Sequence, residues 1–257
     1  MLKSLDLSGR VAVVAGGTSG LGRAVALALA QQGAAVIPTG RRVEHIESVC
    51  TDIRALGRKT MEHITDVGDR QSVDELRDAV LKEFGHVDIL VNAAGFTFRS
   101  PTATMAEEKW SSLLDTHLNG ALRTCQSFYE PLKASGHGRI INFGSLTSYV
   151  GFHEVAAYAA AKSAILGLTR SLACEWAKDG ICVNAIAPGV FPTELNRKLI
   201  MGTPRGNELL MRTPMGRFGQ PEEIAGVAVL LASDAASFLT GQCIAVDGGF
   251  LASGVNC

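Results

Sequence analysis

The sequence predicts an α/β fold: a doubly wound, seven-stranded parallel sheet with helices on both faces. Three observations predict it. Short runs rich in Val and Ile recur along the chain, amphipathic stretches separate them, and a glycine-rich turn follows the first run. Strand–helix alternation at this rhythm favours right-handed βαβ crossovers, which cover both faces of a parallel sheet. The runs are nearly unbroken apolar segments, as strands buried on both faces require.

Strands are predicted at Val11–Ala15, Ala35–Thr39, Met61–Thr65, Asp88–Asn92, Arg139–Phe143, Ile181–Ala187 and Gln242–Val246. Each is short and β-branched, which suits a pleated core. Helices are predicted at Leu21–Gln32, Val43–Leu56, Arg70–Phe84, Ala106–Lys133, Val155–Lys178 and Pro221–Ser233. Pro221 followed by Glu222 and Glu223 marks a helix start, with proline in the first turn and acids at the positive dipole end. One stretch, 189–220, reads as a long irregular loop carrying Pro192, Pro204 and Pro214. A loop of that length is usually functional, and it is expected to be a substrate lid. No repeat, low-complexity segment or second domain is visible, so residues 1–257 are expected to form one domain.

Composition narrows the function. Of 257 residues, 47 % are hydrophobic, which supplies a sizeable core. The formal net charge of −1 gives no basic field for nucleic acid or an anionic membrane surface. No apolar run reaches membrane-spanning length, and the stretch from Met1 to Arg10 lacks a signal peptide's apolar segment. The expected location is the cytoplasm. Cys50, Cys125, Cys174, Cys182, Cys243 and Cys257 show no Cys-x-x-Cys spacing, and the histidines show no metal spacing. The cysteines are expected to be buried reduced thiols, and no metal is expected.

The first chemical signal is Gly16-Gly17-Thr18-Ser19-Gly20-Leu21-Gly22, between the first strand and the first helix. Glycines allow a tight turn and close approach of a pyrophosphate, and the helix start offers free N–H groups. The strand-before, helix-after context raises this above a bare glycine pattern. At the end of the second strand the chain reads Thr39-Gly40-Arg41-Arg42, without an acid for a ribose 2′-hydroxyl. Guanidinium groups suit a 2′-phosphate, which favours NADP over NAD. The alternative is that both arginines simply begin an exposed helix.

The second signal is Tyr158-Ala159-Ala160-Ala161-Lys162. Spacing of i and i+4 puts phenol and ammonium on one helix face. An ordinary phenol is a poor base at neutral pH, and a neighbouring ammonium with an oxidised nicotinamide would pull its pKa toward about 7. The motif follows the fifth strand and Ser145, whose hydroxyl could bind a substrate oxygen. Asp66, Asn92, Ser145 and Pro188-Gly189 all fall at the carboxyl ends of predicted strands, where doubly wound sheets bind ligands.

With these pieces placed, the chain resembles the short-chain dehydrogenase/reductase family along nearly its whole length. The matching residues are the Gly16–Gly22 loop, Asp66-Val67, Asn92-Ala93-Ala94-Gly95, Ser145, Tyr158-x-x-x-Lys162, Pro188-Gly189-x-x-x-Thr193 and Asp247-Gly248-Gly249. The resemblance implies a Rossmann-type sheet and a homotetramer. It implies that Tyr158 is the acid/base, Lys162 its pKa modulator and ribose ligand, and Ser145 the group that orients the substrate oxygen. It also implies that Asp66 and Val67 contact adenine, Asn92 the nearer ribose region, and Thr193 the nicotinamide amide. One departure matters: the family's relay Asn, seven residues after the helix Trp, is His117 counted from Trp110. Imidazole donates and accepts, so it can relay protons. It can equally be a buried structural side chain, or Asn119 can serve instead.

Substrate choice is expected from 96–100, 147–154 and 190–215. Arg99, Arg205 and Arg212 there could hold a carboxylate or be solvated charges. The C-terminal portion is similar to gluconate 5-dehydrogenases and compatible with 3-oxoacyl-thioester reductases. The expected reaction interconverts a ketone and a secondary alcohol on a sugar acid or polyol. A non-catalytic NADP-binding sensor is the alternative of another class. Nucleotide-sugar epimerases of this fold usually carry an added substrate domain, for which this chain has no room.

Overall fold

A computed structural model describes residues 4–194 and 196–256. The sheet has six strands, all parallel: β1 (Val11–Ala15), β2 (Ala35–Thr39), β3 (Ile89–Asn92), β4 (Arg139–Phe143), β5 (Cys182–Pro188) and β6 (Cys243–Val246). Their order is β2-β1-β3-β4-β5-β6. The chain therefore reverses direction across the sheet between β1 and β3, which opens a crevice at their carboxyl ends.

The third of the seven predicted strands, Met61–Thr65, does not form. Only an isolated bridge joins Gly40 to Ile64. Proline explains the gap. On the outer edge of β2, Val36 N–H donates to Lys59 O at 3.1 Å, and Gly40 O accepts from Thr65 N at 2.8 Å. Pro38 stands between them and has no N–H to give. Side chains serve the carbonyls instead: the Cys50 thiol lies 3.6 Å from Met61 O, and Thr39 Oγ1 donates to His63 O at 2.8 Å.

Helices α1 (Gly20–Gln31) and α9 (Glu222–Ala232) cover one face, where Val14, Val25, Leu29, Ile89, Ile141 and Ile224 form a core. Helices α3 (Arg70–Phe84), α5 (Gly120–Ala134) and α6 (Ala156–Trp176) cover the other, around Val13, Leu76, Leu90, Phe128 and Ile140. Alternation along β1 and β3 sends neighbouring side chains to opposite cores, as period two demands. Helix α2 (Val43–Ala55) adds Val49 and Ile53 beside α1.

The predicted helix 106–133 is broken. It begins as α4 (Glu107–Leu114), passes through a π turn at Asp115–Asn119, and resumes as α5. The π turn inserts residues without breaking the helix axis, so hydrophobic spacing alone does not reveal it. The stretch 189–220 is not irregular throughout. It holds α7 (Arg197–Ile200) and α8 (Pro204–Met211), the latter capped by Thr203 with proline in its first turn. Ile200 and Leu209 pack with Leu146 and Phe250, which docks this segment on the loop after β4.

Among the described residues, the free cysteines are Cys50 and Cys125, buried, Cys182 and Cys243, half-buried, and Cys174, exposed. The expectation of uniform burial thus fails at Cys174, and Cys257 lies outside the described residues. No helix among the described residues is long and apolar enough to cross a membrane.

Candidate active site

Most candidate groups gather at the carboxyl rim of the sheet. At the first βα turn, Gly16 has φ +80° and its N–H donates to Thr39 O. A side chain at Gly16 would meet Ala94 N at 2.5 Å, and one at Gly22 would meet Gly16 O at 2.1 Å. Only hydrogen fits at both places, so the loop can bring its backbone against a phosphate. Ser19 caps α1 without a side-chain bond to the helix, so the first-turn amides of Gly20, Leu21 and Gly22 are not covered by a capping side chain. Ala93, whose N–H donates to Ala15 O, packs beside this turn. Thr18 is buried next to Gly40.

Arg41 and Arg42 are both exposed at the end of β2. Arg42 caps α2 and donates to Ser19 Oγ at 3.3 Å, while Arg41 stands 3.6 Å from Asp66 Oδ2. Beginning a helix and facing the glycine loop are therefore compatible. Asp66 also accepts from Gly68 N at 2.9 Å, and Val67 is buried against Gly120. Asn92 departs from expectation. Its amide is turned into the core, where it donates to Asn142 Oδ1 at 2.9 Å and accepts from Thr124 Oγ1 at 2.7 Å. Its side chain is committed to joining β3, β4 and α5 rather than left at the rim.

A cavity of about 840 Å³ opens beside Thr18, Ser19 and Gly20 and reaches Thr193. Most of its wall is the outer side of α1 toward α2 and Pro221. It is not the reacting centre, since Ser145, Tyr158 and Lys162 line none of it. Thr193 approaches Gly20 closely, and its N–H donates to Asn196 Oδ1 at 2.8 Å. Gly189, following Pro188, donates to Val246 O at 2.8 Å and lies against Asp247.

Ser145 is fixed by its own turn. Its Oγ accepts from Thr147 N, and its N–H donates to Ser148 Oγ, both at 3.2 Å. Ser148 Oγ in turn donates to Lys162 O at 2.7 Å, tying the turn to α6. Ser148 is a positioning residue that sequence reading passed over. Its signal was present as Ser145-x-x-Ser148, the spacing of a capping box.

On α6, Tyr158 and Lys162 share one face as predicted, with Lys162 Nζ 5.6 Å from the phenol ring centre. The Ser145 hydroxyl faces the phenol and favours its ionised form. Burial pushes the Tyr158 pKa up, and Ser145 only partly opposes this. In the protein alone the phenol is therefore not drawn toward neutrality. Lys162 instead carries the large shift: burial lowers it to about 7, while Nζ donates to Phe143 O at 2.7 Å.

His117 sits within the π turn, buried, with its ring edge-on to Tyr158 at 5.3 Å. Nε2 lies 2.6 Å from Phe96 O and 3.1 Å from Phe96 N. A ring nitrogen either donates or accepts. The shorter contact makes Nε2 the donor and leaves Nδ1 a buried acceptor without a partner. Burial first, and Lys162 second, lower the His117 pKa to about 3, so the ring is neutral at ordinary pH. Gly95 makes room for it, because a side chain there would meet Cε1 at 2.1 Å. Asn119 does not take this place: it is exposed and donates to Asp115 Oδ1 at 3.1 Å. A small cavity of about 10 Å³ lies among Asn92, His117 and Lys162.

Comparison with known proteins decides the lineage. The profile described as enoyl-(acyl carrier protein) reductase matches residues 15–251. The chain belongs to the short-chain dehydrogenase/reductase family. It is an NAD(P)-dependent oxidoreductase. Among its most similar relatives is a 2-dehydro-3-deoxy-D-gluconate 5-dehydrogenase of Escherichia coli, 38 % identical, with 98 % of this chain and 99 % of that one covered. A D-threitol dehydrogenase of Mycolicibacterium smegmatis is also 38 % identical, over 95 % of this chain and 94 % of that one. A crystal structure of gluconate 5-dehydrogenase from Burkholderia cenocepacia, in complex with NADP and tartrate, superposes with a TM-score of 0.93. It is 36 % identical and covers 97 % of this chain and 98 % of that one.

Proposed function

We propose that this enzyme interconverts a secondary alcohol and a ketone on a sugar acid or polyol, using NADP(H). The observation that carries the reading is Tyr158 and Lys162 on one helix face, with the Ser145 turn tied to that helix through Ser148. The named activities of the relatives, on sugar acids and a polyol, support the substrate class.

The chain's residues fit a dinucleotide. The glycine loop admits a phosphate where any side chain would collide, and Arg41 and Arg42 stand where a 2′-phosphate would lie. Gly16, Thr18, Ser19, Gly20, Leu21 and Gly22 would hold the pyrophosphate. Asp66 and Val67 would flank the adenine, with Ala93 and Gly95 beneath the dinucleotide. Pro188, Gly189 and Thr193 would face the nicotinamide. For Asn92 we propose support of this floor through the buried amide network. Bound there, the cofactor supplies or accepts the hydride at the carbinol carbon.

In the direction of reduction, Ser145 Oγ donates to the carbonyl oxygen and orients it. Tyr158 then gives its phenolic proton to that oxygen as charge develops. A phenol whose pKa is raised is well suited to stay protonated until that moment. Lys162, in its ammonium form, stabilises the phenolate as it appears. We assign His117 to the route by which the proton is replaced. Its Nδ1 lone pair and Lys162 border a space at the lower size limit for one water, and imidazole both accepts and donates.

The remaining parts of the proposal concern organisation. One sheet carries most of the site groups, which supports a single domain over 1–257 with 189–220 as its lid. The exposed Tyr149 and Val150 offer apolar surface for a homotetramer. A cytoplasmic location agrees with the mixed, near-neutral charge.

The test is oxidation of gluconate, glucitol and threitol by NADP+, followed at the NADPH absorbance band. Tyr158→Phe should lower kcat by about 10²–10⁴-fold with NADP+ affinity nearly unchanged. Cofactor binding without Tyr158-dependent turnover of any of these, or of their ketones, would instead indicate a sensor. The acyl-carrier description of the matching profile favours a second reading, a 3-oxoacyl-thioester reductase. Turnover of 3-oxoacyl thioesters well above that of the sugar acids would establish that one.

A further inference from the structure

If the substrate is a sugar acid, as proposed above, its carboxylate needs a cation near Ser145. Two arginines approach from different loops, and the structure treats them differently. Arg99 Nη2 is 2.6 Å from Glu154 Oε2, and the Ser100 N–H donates to Glu154 O at 3.0 Å. Glu154 holds a φ of +62°, which a residue with a side chain rarely adopts. The strained turn thus keeps its carboxylate on Arg99, and His153 reaches the same oxygen at 3.7 Å. Arg99 is already ion-paired.

Arg205, on α8, has no ion pair or hydrogen bond among the described residues. Its guanidinium lies 5.9 Å over the ring of Phe152. It is half-buried, and burial first, with Arg99 second, makes its charge less favourable than in water, while the charges of Glu208 and Glu154 partly oppose this. A stacked guanidinium keeps its fork of donors free at the edge. Phe152 shares an apolar cluster with Leu209 of α8 and with Leu146, the residue after Ser145. Arg205 is therefore tied to the turn that positions the substrate oxygen. Arg212, which stacks on Phe250 at 5.5 Å, is exposed and its charge is solvated.

We infer that Arg205 is the specificity-determining residue that anchors the substrate carboxylate, with Phe152 as its platform, and that Glu154 withholds Arg99 from that role. Gluconate and glucitol share their stereocentres and differ in the carboxylate, so they separate charge recognition from hydroxyl recognition. Binding of each is measured by calorimetry to the full-length Tyr158→Phe enzyme saturated with NADP+, with and without Arg205→Gln or Arg205→Lys. Melting temperature and NADP+ affinity control for folding. The expected result is tighter binding of gluconate than glucitol, and a loss of that preference by about 10- to 100-fold in Arg205→Gln, with partial retention in Arg205→Lys. A preference that survives Arg205→Gln, or no preference for gluconate at all, would overturn the assignment. Failure of the broader reading shows separately, as absence of NADP+ reduction by the Tyr158 enzyme with either compound.

Discussion

The two halves of the sheet rim are built from different materials. After β1 the site is made of backbone: at Gly16 and Gly22 an added carbon would lie 2.5 and 2.1 Å from main-chain atoms. After β4, and on α8, it is made of side chains: Ser145 against Tyr158, Arg99 against Glu154, Arg205 over Phe152. Glycines of the second half are mixed: Gly151 has nothing within 4 Å of an added carbon, while Gly206 on α8 would meet Ile200 O at 1.7 Å. A site made of backbone tolerates almost no change and serves one ligand, whereas a site made of side-chain pairs can be re-specified by exchanging partners.

The sharpest way to break this contrast is to add one methyl group to each half. Gly22→Ala should weaken NADPH binding at least about 100-fold and lower stability by about 1–3 kcal/mol, read by fluorescence titration and urea unfolding. Gly151→Ala should change stability by less than about 0.5 kcal/mol. Equal effects would erase the distinction. The cofactor half is next sharpened by its exposed charges. Arg41→Ala with Arg42→Ala should raise the Kd for NADPH by about 10- to 100-fold through lost charge-assisted bonds, while NADH changes far less. Loss of both cofactors in equal measure would reject the 2′-phosphate assignment.

The smallest effect tests the boundary between the halves, at His117. Its folded pKa of about 3 lies below the ordinary 6.5, so between these values the unfolded chain holds a proton that the folded protein lacks. Stability therefore falls as pH falls below about 6.5. At pH 5 this loss is about 2 kcal/mol. His117→Asn does not titrate there, so the stability gap between variant and parent should shift in the variant's favour by that amount between pH 7 and 5. A gap independent of pH in urea unfolding would mean that the imidazole is not held neutral.

The same contrast explains what could be read from the sequence. Six of the seven strands, the glycine loop and the Tyr158–Lys162 face follow from short-range periodicity and steric rules, and all of these are present. The third predicted strand was overcounted because Val, Ile and Thr content says nothing about ladder donors. Pro38, on the partner strand, removes the donor that Met61 needed. Asn92 was assigned to the rim because a strand's end does not reveal which way its last side chain turns. The pairing of Arg99 with Glu154 spans 55 positions, and no local pattern separates an ion-paired arginine from a free one. The helical turns of 197–211 were hidden by prolines, one of which starts α8 instead of breaking it.

The π turn at Asp115–Asn119 has a consequence for what this stretch can lose. A regular helix advances about 100° per residue. Deleting a single position there would turn the wide turn back into a regular one and leave the later residues facing as they do, whereas the same deletion at the start of α5 would swing every residue beyond by that angle about the axis. Cys125, Phe128 and Leu132, now pressed on the sheet, would rotate toward solvent. The length of α5 is therefore under tighter constraint than its composition, and a one-residue gap in it would do more damage than most exchanges of amino acid.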